Sequence, residues 1–407
     1  MTGPETTSLL RDRDFVLFAG GQGVSALGDA LSKTALPLLV LALTGSGLQV
    51  GVIAMLSVLP SLVLGLPAGA WADRLDRRRM MLWSDVGRTL LVGLAPLAAL
   101  LGIPVLPVLY AITVPVGVLY AVFEGACLSC VPSLVGRDRI GEANSLLGVG
   151  NALGYLIGPA VAGVLVAAVG GAAALGVDAA SFAASALTLA LLRNPLRTPV
   201  EQEPAPMTEQ LRAGFRYIAS QRLLRSTLIY WSAIAFLTAP VVICATYFVR
   251  QDLGWSPRII GVVIATYAFG AIIGAVLAPR LSRTPGTVMV GSTMVASVGL
   301  LVLSATARMS LAFGIALVVG VGEGLSATLY TTLRAQLVPG ELLGRVAAAA
   351  QVAMLGLRPL SVFLAGVALE ATSGSVTLAA IGVSCLVVSV VFAVRSPILF
   401  AAAPALR

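Results

Sequence analysis

An all-α membrane protein of twelve transmembrane helices, arranged as two bundles of six, is the fold class the sequence predicts. Three observations carry it. Of 407 residues, 58% are hydrophobic and 11% charged, where soluble domains carry about 25% charged residues. Apolar runs of roughly 20 residues, each long enough to cross a bilayer, recur along the whole chain. Halfway along, one long polar stretch interrupts them.

The apolar run that follows the polar start "MTGPETTSLLRDRD" extends from Phe15 to about Leu43. It exceeds the apolar region of a secretory signal and reads as the first span. Short polar or Gly/Pro breaks then delimit 48–71, 80–101, 105–130, 143–169 and 172–192. The break "RNPLRTPVEQEPAPMTEQLRAGFRYIASQRLLR", residues 193–225, differs in kind, because it is long, polar and contains proline. Its second part places Leu211, Phe215 and Ile218 at helical spacing beside Arg212 and Arg216, which predicts an interfacial helix lying on the membrane. Six more runs follow near 225–249, 257–279, 286–307, 310–333, 346–370 and 375–395. The expected organisation is a first bundle over 1–193, a cytoplasmic linker over 194–224 and a second bundle over 225–407.

Charge orients these spans. With the N-terminus inside, 20 of the 26 basic residues fall in inner segments, and only Arg250, Arg258 and Arg308 fall in outer loops. That asymmetry follows the positive-inside rule and places both termini in the cytoplasm. The formal charge of +8 therefore does not indicate nucleic acid, since the arginines recur in short clusters between apolar runs rather than on one basic face. A duplication is visible in outline. "LVGRDRIGEA" (134–143) and "LVPGELLGRV" (337–346) share Leu-Val, an acid three residues after the Val, and Gly three beyond that.

Several function classes lose their chemistry here. The chain has no histidine, so the commonest general base and metal ligand is missing, and no metal is expected. Cys127 and Cys130 form a C-x-x-C inside an apolar run, where two small thiols one turn apart read as packing residues. No Walker loop is present, and "GVGNALG" (148–154) has the wrong spacing for a nucleotide fingerprint and follows no strand. An enzyme is not expected. "GLPAG" (65–69), "GYLIG" (154–158) and "GAIIG" (270–274) each hold a G-x-x-x-G that permits close helix packing.

Charges inside spans cost at least about 2.5 kcal/mol each on insertion scales, so they face partners or water-filled cavities. Asp29 and Lys33, the only lysine, stand at i, i+4 in the first span. They read either as a self-compensating pair or as a proton carrier tuned by a neighbouring charge. Glu124 and Glu323 have no opposite charge within four residues on their own helices. A carboxyl buried without a counter-charge favours its protonated form, which suits a group that loads and releases a proton. Asp85 and Arg88 read as a structural pair bracing the loop before them. Arg358, followed by Pro359, lies within the eleventh span, where it could meet Glu323 or an anionic substrate. Asp178 reads as a cap or gate contact near the outer end of the sixth span, and Glu370 as a solvated end of the eleventh.

The loop "GAWADRLDRRR" (69–79) supplies Gly69, Asp73, Arg74, Asp76, Arg77, Arg78 and Arg79. It resembles the loop motif of the major facilitator superfamily: Gly, three residues, Asp-Arg, then a basic cluster. Asp76 stands where that family usually has glycine. "GDALSKTALPLLVLALTGS", "EANSLLGVGNALGYLIGPAVAG", "VDAASF" and "RPLSVFLAG" resemble its macrolide-efflux and siderophore-exporter branch. The resemblance covers essentially the full chain. It implies a monomeric, multi-pass secondary transporter in a bacterial cytoplasmic membrane. Such a protein exports a small amphipathic molecule by alternating access, draws on the proton gradient without a cofactor, and uses the loop to latch its two halves; an importer or a lipid or metabolite transporter would use the same architecture.

Overall fold

The computed structural model describes residues 8–193, 196, 207–281 and 284–395; the side chains of residues 66, 69, 70, 72–74, 137 and 207 lie outside that description. The described residues are almost entirely helical, and they divide into two compact units. Met1–Leu39 with Leu56–Glu203 form one, and Val40–Met55 with Pro204–Arg407 form the other.

The first unit is built from α1 (Arg13–Thr44), α2 (Gly47–Arg74), α3 (Arg77–Leu100), α4 (Val105–Val135), α5 (Ile140–Val169) and α6 (Gly171–Leu191), with residues 40–55 of α1 and α2 belonging to the other unit. α3 packs along both α4 and α6. Its core gathers Phe15 and Phe18 from α1, Met81 from α3, Phe123 and Cys130 from α4, and Leu189 from α6. Gly154 and Gly158 of α5 lie so close to α1 that a Cβ on Gly158 would sit 2.6 Å from the Ala30 Cβ. "GYLIG" therefore packs as its spacing predicts. "GLPAG" does not at its first glycine, since nothing lies within 4 Å of a Cβ built on Gly65.

The second unit contains α7 (Met207–Ser220), α8 (Arg222–Thr238), α9 (Val241–Tyr247), α10 (Pro257–Leu277), α11 (Pro285–Ser304), α12 (Met309–Leu337), α13 (Gly340–Leu355), α14 (Arg358–Ala371) and α15 (Gly374–Arg395). α10 and α12 meet backbone to backbone. A Cβ on Gly274 would fall 2.2 Å from the Val321 carbonyl oxygen, and one on Gly320 would fall 2.0 Å from that of Tyr267. Only hydrogen fits at such a crossing. α7 is the helix expected in the linker, but it is docked rather than lying alone. Gly214 abuts the Arg345 carbonyl of α13, Ile218 is buried, and Arg212, Phe215 and Arg216 remain exposed.

Two expected spans are broken. The seventh is split into α8 and α9 at Pro240, and the eleventh into α13 and α14 just before Pro359. Proline has no N–H, so the carbonyl four residues earlier loses its helical donor. At the first break that carbonyl belongs to Phe236, and the buried Ser361 hydroxyl from α14 donates to it. A side chain from one broken helix thus satisfies the polar group exposed by the break in the other.

Eleven helices among the described residues are long and apolar enough to cross a membrane. The expected third span coincides with α3, which falls outside that set because Asp85 and Arg88 dilute its apolar run. Leu90, Leu128, Leu187, Ile229, Val276 and Val394 stay exposed, a distribution suited to acyl chains and costly in water.

Candidate functional site

The loop motif places its described side chains on helix ends. Asp76 is the N-cap of α3, its Oδ1 accepting from the Arg79 N–H at 3.1 Å. A carboxylate is a strong cap at this position, which is what the replacement of glycine by Asp76 accomplishes. Arg77 donates to the Ser133 hydroxyl of α4 at 3.0 Å, and Arg78 donates to the Leu189 and Ala190 carbonyls in the last turn of α6. Cations at a helix C-terminus oppose its negative dipole end and fill its free carbonyls. The side chains of Gly69, Asp73 and Arg74 lie outside the described residues.

Asp85 and Arg88 form an ion pair at the centre of the first unit, 0% and 1% exposed. The Arg88 guanidinium lies 4.4 Å from the Phe123 ring centroid and 4.2 Å from that of Phe182. The expected brace for the preceding loop is instead a cation clamped between two aromatic rings in the bundle core, with a fixed position.

Around this fixed charge stand three more acids. Asp178 of α6, read as a cap or gate contact, is 2% exposed: the Ser32 and Ser181 hydroxyls donate to its two carboxyl oxygens. Gly28 makes room for it, since a Cβ there would sit 2.5 Å from Asp178 Oδ1. Asp29 is half-buried and Glu124 is exposed. The charge of Asp29 acts on both Asp178 and Glu124, and Arg88 and Lys33 act on both Asp29 and Glu124.

The self-compensating Asp29–Lys33 pair is therefore corrected. Among the described residues these two form no ion pair. The Lys33 ammonium donates to the Tyr155 hydroxyl at 3.0 Å and lies over the rings of Tyr155 and Tyr120. Four carboxyls (Asp29, Asp85, Glu124 and Asp178) thus share one electrostatic neighbourhood with two cations, Lys33 and Arg88. Asp85 is committed to Arg88 and Asp178 to two serines. Asp29 and Glu124 accept no hydrogen bond among the described residues, so either can change protonation without breaking one.

In the second unit Glu323 is differently placed. The Tyr267 hydroxyl donates to its carboxylate across the α10–α12 glycine crossing. Arg358, expected to meet Glu323 or an anionic substrate, opens α14 with an exposed side chain and makes no ion pair with Glu323 among the described residues. Glu370 is exposed but not merely solvated. It accepts from the Ser46 hydroxyl at 2.8 Å and the Leu48 N–H at 3.2 Å, capping the start of α2 within this unit. Cys127 and Cys130 are free thiols, and no group of three Asp, Glu, Cys or His placed to hold a metal occurs among the described residues.

A bundle of apolar helices around a polar, partly accessible charge cluster suits a membrane transporter of small molecules. The sequence profile of the Major Facilitator Superfamily matches residues 18–361, and the chain belongs to that family. It is similar to the multidrug efflux pump Tap of Mycolicibacterium fortuitum, at 28% identity over 89% of this chain and 91% of the relative. It is also similar to the enterobactin exporter EntS of Escherichia coli O1:K1 / APEC, at 27% identity over 79% of this chain and 77% of the relative. Among solved structures, the nucleoside transporter NupG superposes with a TM-score of 0.77 at 12% identity, covering 94% of this chain and 98% of that one. A bacterial homologue of the lysosomal transporter Spinster, inward-facing and occupied, superposes at 0.73 and 14% identity over 97% of both chains. At such identities the superpositions establish the fold alone. The protein is a multi-pass protein of the bacterial cytoplasmic membrane.

Proposed function

We propose that the protein is a proton-coupled exporter of a small amphipathic molecule, drug-like or siderophore-like, working by alternating access. In this reading twelve spans carry it through the bilayer as a monomer with both termini in the cytoplasm, the "GAWADRLDRRR" loop latches the cytoplasmic side, and the proton gradient drives it without a cofactor. The similarity to two efflux proteins supports the direction. The observation that carries the coupling is the pair Asp29 and Glu124: two carboxyls within one another's field, with no hydrogen-bond donor among the described residues. Like charges disfavour simultaneous ionisation, so such a pair exchanges a proton for another cation or for a change in access. Glu323, tied to Tyr267, serves this reading as a link between two helices.

The test uses proteoliposomes with an imposed pH gradient and a panel of lipophilic drugs and catecholate siderophores. Gradient-driven flux is expected for wild type and is lost in Asp29→Asn and Glu124→Gln. Flux of every cargo that ignores the gradient and both variants overturns the coupling.

A further inference from the structure

Lys33 is the only lysine in the chain, and its surroundings resemble those of a bound ligand. Its ammonium donates to the Tyr155 hydroxyl and stands 5.0 Å from the Tyr155 ring centroid and 5.9 Å from that of Tyr120. Asp29 and Glu124 both lie within its electrostatic reach. Aromatic faces with acids beside them are the chemistry by which proteins recognise ammonium groups. Here the chain itself supplies the ammonium, on a flexible four-carbon stem.

The two cations of the cluster differ in freedom. Arg88 is 1% exposed, paired to Asp85 and held between two phenylalanines. Lys33 is exposed, and Tyr155 beside it is 51% exposed, so this end of the cluster is open. Were Lys33 to swing away, the tyrosines would remain beside two acids without hydrogen-bond donors, and the neighbourhood would hold four carboxyls against one arginine. For an anion the favourable charges there are Lys33 itself and Arg88, and Arg88 is already paired with Asp85 and enclosed.

We propose that Tyr120, Tyr155, Asp29 and Glu124 form a binding site for an organic onium cation, which Lys33 occupies as an internal surrogate that the cargo displaces. The inference rests on the transport reading, because it names the class of cargo.

The test is binding, measured without any gradient. The full chain in nanodiscs is titrated calorimetrically with tetraphenylphosphonium and with tetraphenylborate, ions of matched shape and opposite charge, against empty discs. Lys33→Met removes the surrogate and is expected to tighten tetraphenylphosphonium binding roughly tenfold, between the scales of an exposed and a desolvated cation–π contact. Tyr155→Phe keeps the ring and is expected to retain binding, whereas Tyr155→Leu loosens it by a similar factor. Tetraphenylborate is expected to bind more weakly than the cation to wild type. Unchanged or weaker cation binding in Lys33→Met overturns the proposal. So does tighter binding of tetraphenylborate that is lost in that variant, which would make Lys33 an anion receptor. Failed gradient coupling in proteoliposomes with intact cation binding would refute the proton reading alone. Coupled export of uncharged cargo with no cation binding would refute the site alone.

Discussion

The break in α8–α9 offers a prediction that isolates one atom. Pro240 deprives the Phe236 carbonyl of its helical donor, and the Ser361 hydroxyl replaces it. Ser361 is 4% exposed, so Ser361→Ala leaves that carbonyl unpaired at a site closed to water. Hydrogen bonds between membrane helices average about 0.6 kcal/mol by double-mutant cycles, but an acceptor stranded away from water costs about 1–3 kcal/mol. The cost of a stranded acceptor governs here, moderated by partial relaxation, because no other donor among the described residues reaches this carbonyl across the break. Ser361→Ala is therefore expected to destabilise the protein by about 1–2 kcal/mol, measured by denaturant unfolding in mixed micelles. The decisive arm is Pro240→Ala, which restores a backbone N–H at the right position. In that background Ser361→Ala should cost less than about 0.5 kcal/mol, the ordinary scale for a change away from any special feature. Equal costs in both backgrounds refute the idea that Ser361 acts by replacing the missing donor.

Three further outcomes follow from the same geometry. Glu323→Gln retains a hydrogen-bonding partner for Tyr267, so gradient-driven flux in proteoliposomes should persist, in contrast to Glu124→Gln. Gly274→Leu drives a side chain into the Val321 carbonyl and should abolish monodisperse folded protein on size exclusion, while Gly65→Ala, which meets open space, should elute as wild type. Asp76→Ala removes the α3 cap and should lower stability by about 1 kcal/mol, whereas Asp76→Gly should cost only a few tenths, both read by thermal unfolding.

Helix positions were legible because they depend on local composition, which a bilayer enforces strongly. The loop motif was legible as a string, although the work of Asp76 became clear only as an N-cap. What the sequence hid were partners far apart in the chain. Lys33 and Tyr155 are separated by 122 residues, and Ser32 and Asp178 by 146. Reading along one helix therefore paired Lys33 with Asp29 and left Asp178 without its serine partner from α1. The same limit made Glu124 and Glu323 look equivalent. Each lacks a counter-charge on its own helix, yet one joins a charge cluster and the other meets a tyrosine across a glycine crossing. Pro240 and Pro359 were visible, but a proline in a membrane helix can bend or break it. Packing against neighbouring helices decides which occurs.

The α10–α12 crossing has a mechanical consequence. With carbonyl oxygens standing where side chains would otherwise intervene, there are no rotamers to relax and no soft layer to shear. Any tilt must either separate two backbones outright or carry both helices together. The pair has the geometry of a single girder, while α8–α9 and α13–α14 are where the helices of this unit are interrupted. The two interrupted helices meet at Ser361, so a bend at one break would be felt at the other, whereas the α10–α12 pair that holds Glu323 offers no such interruption.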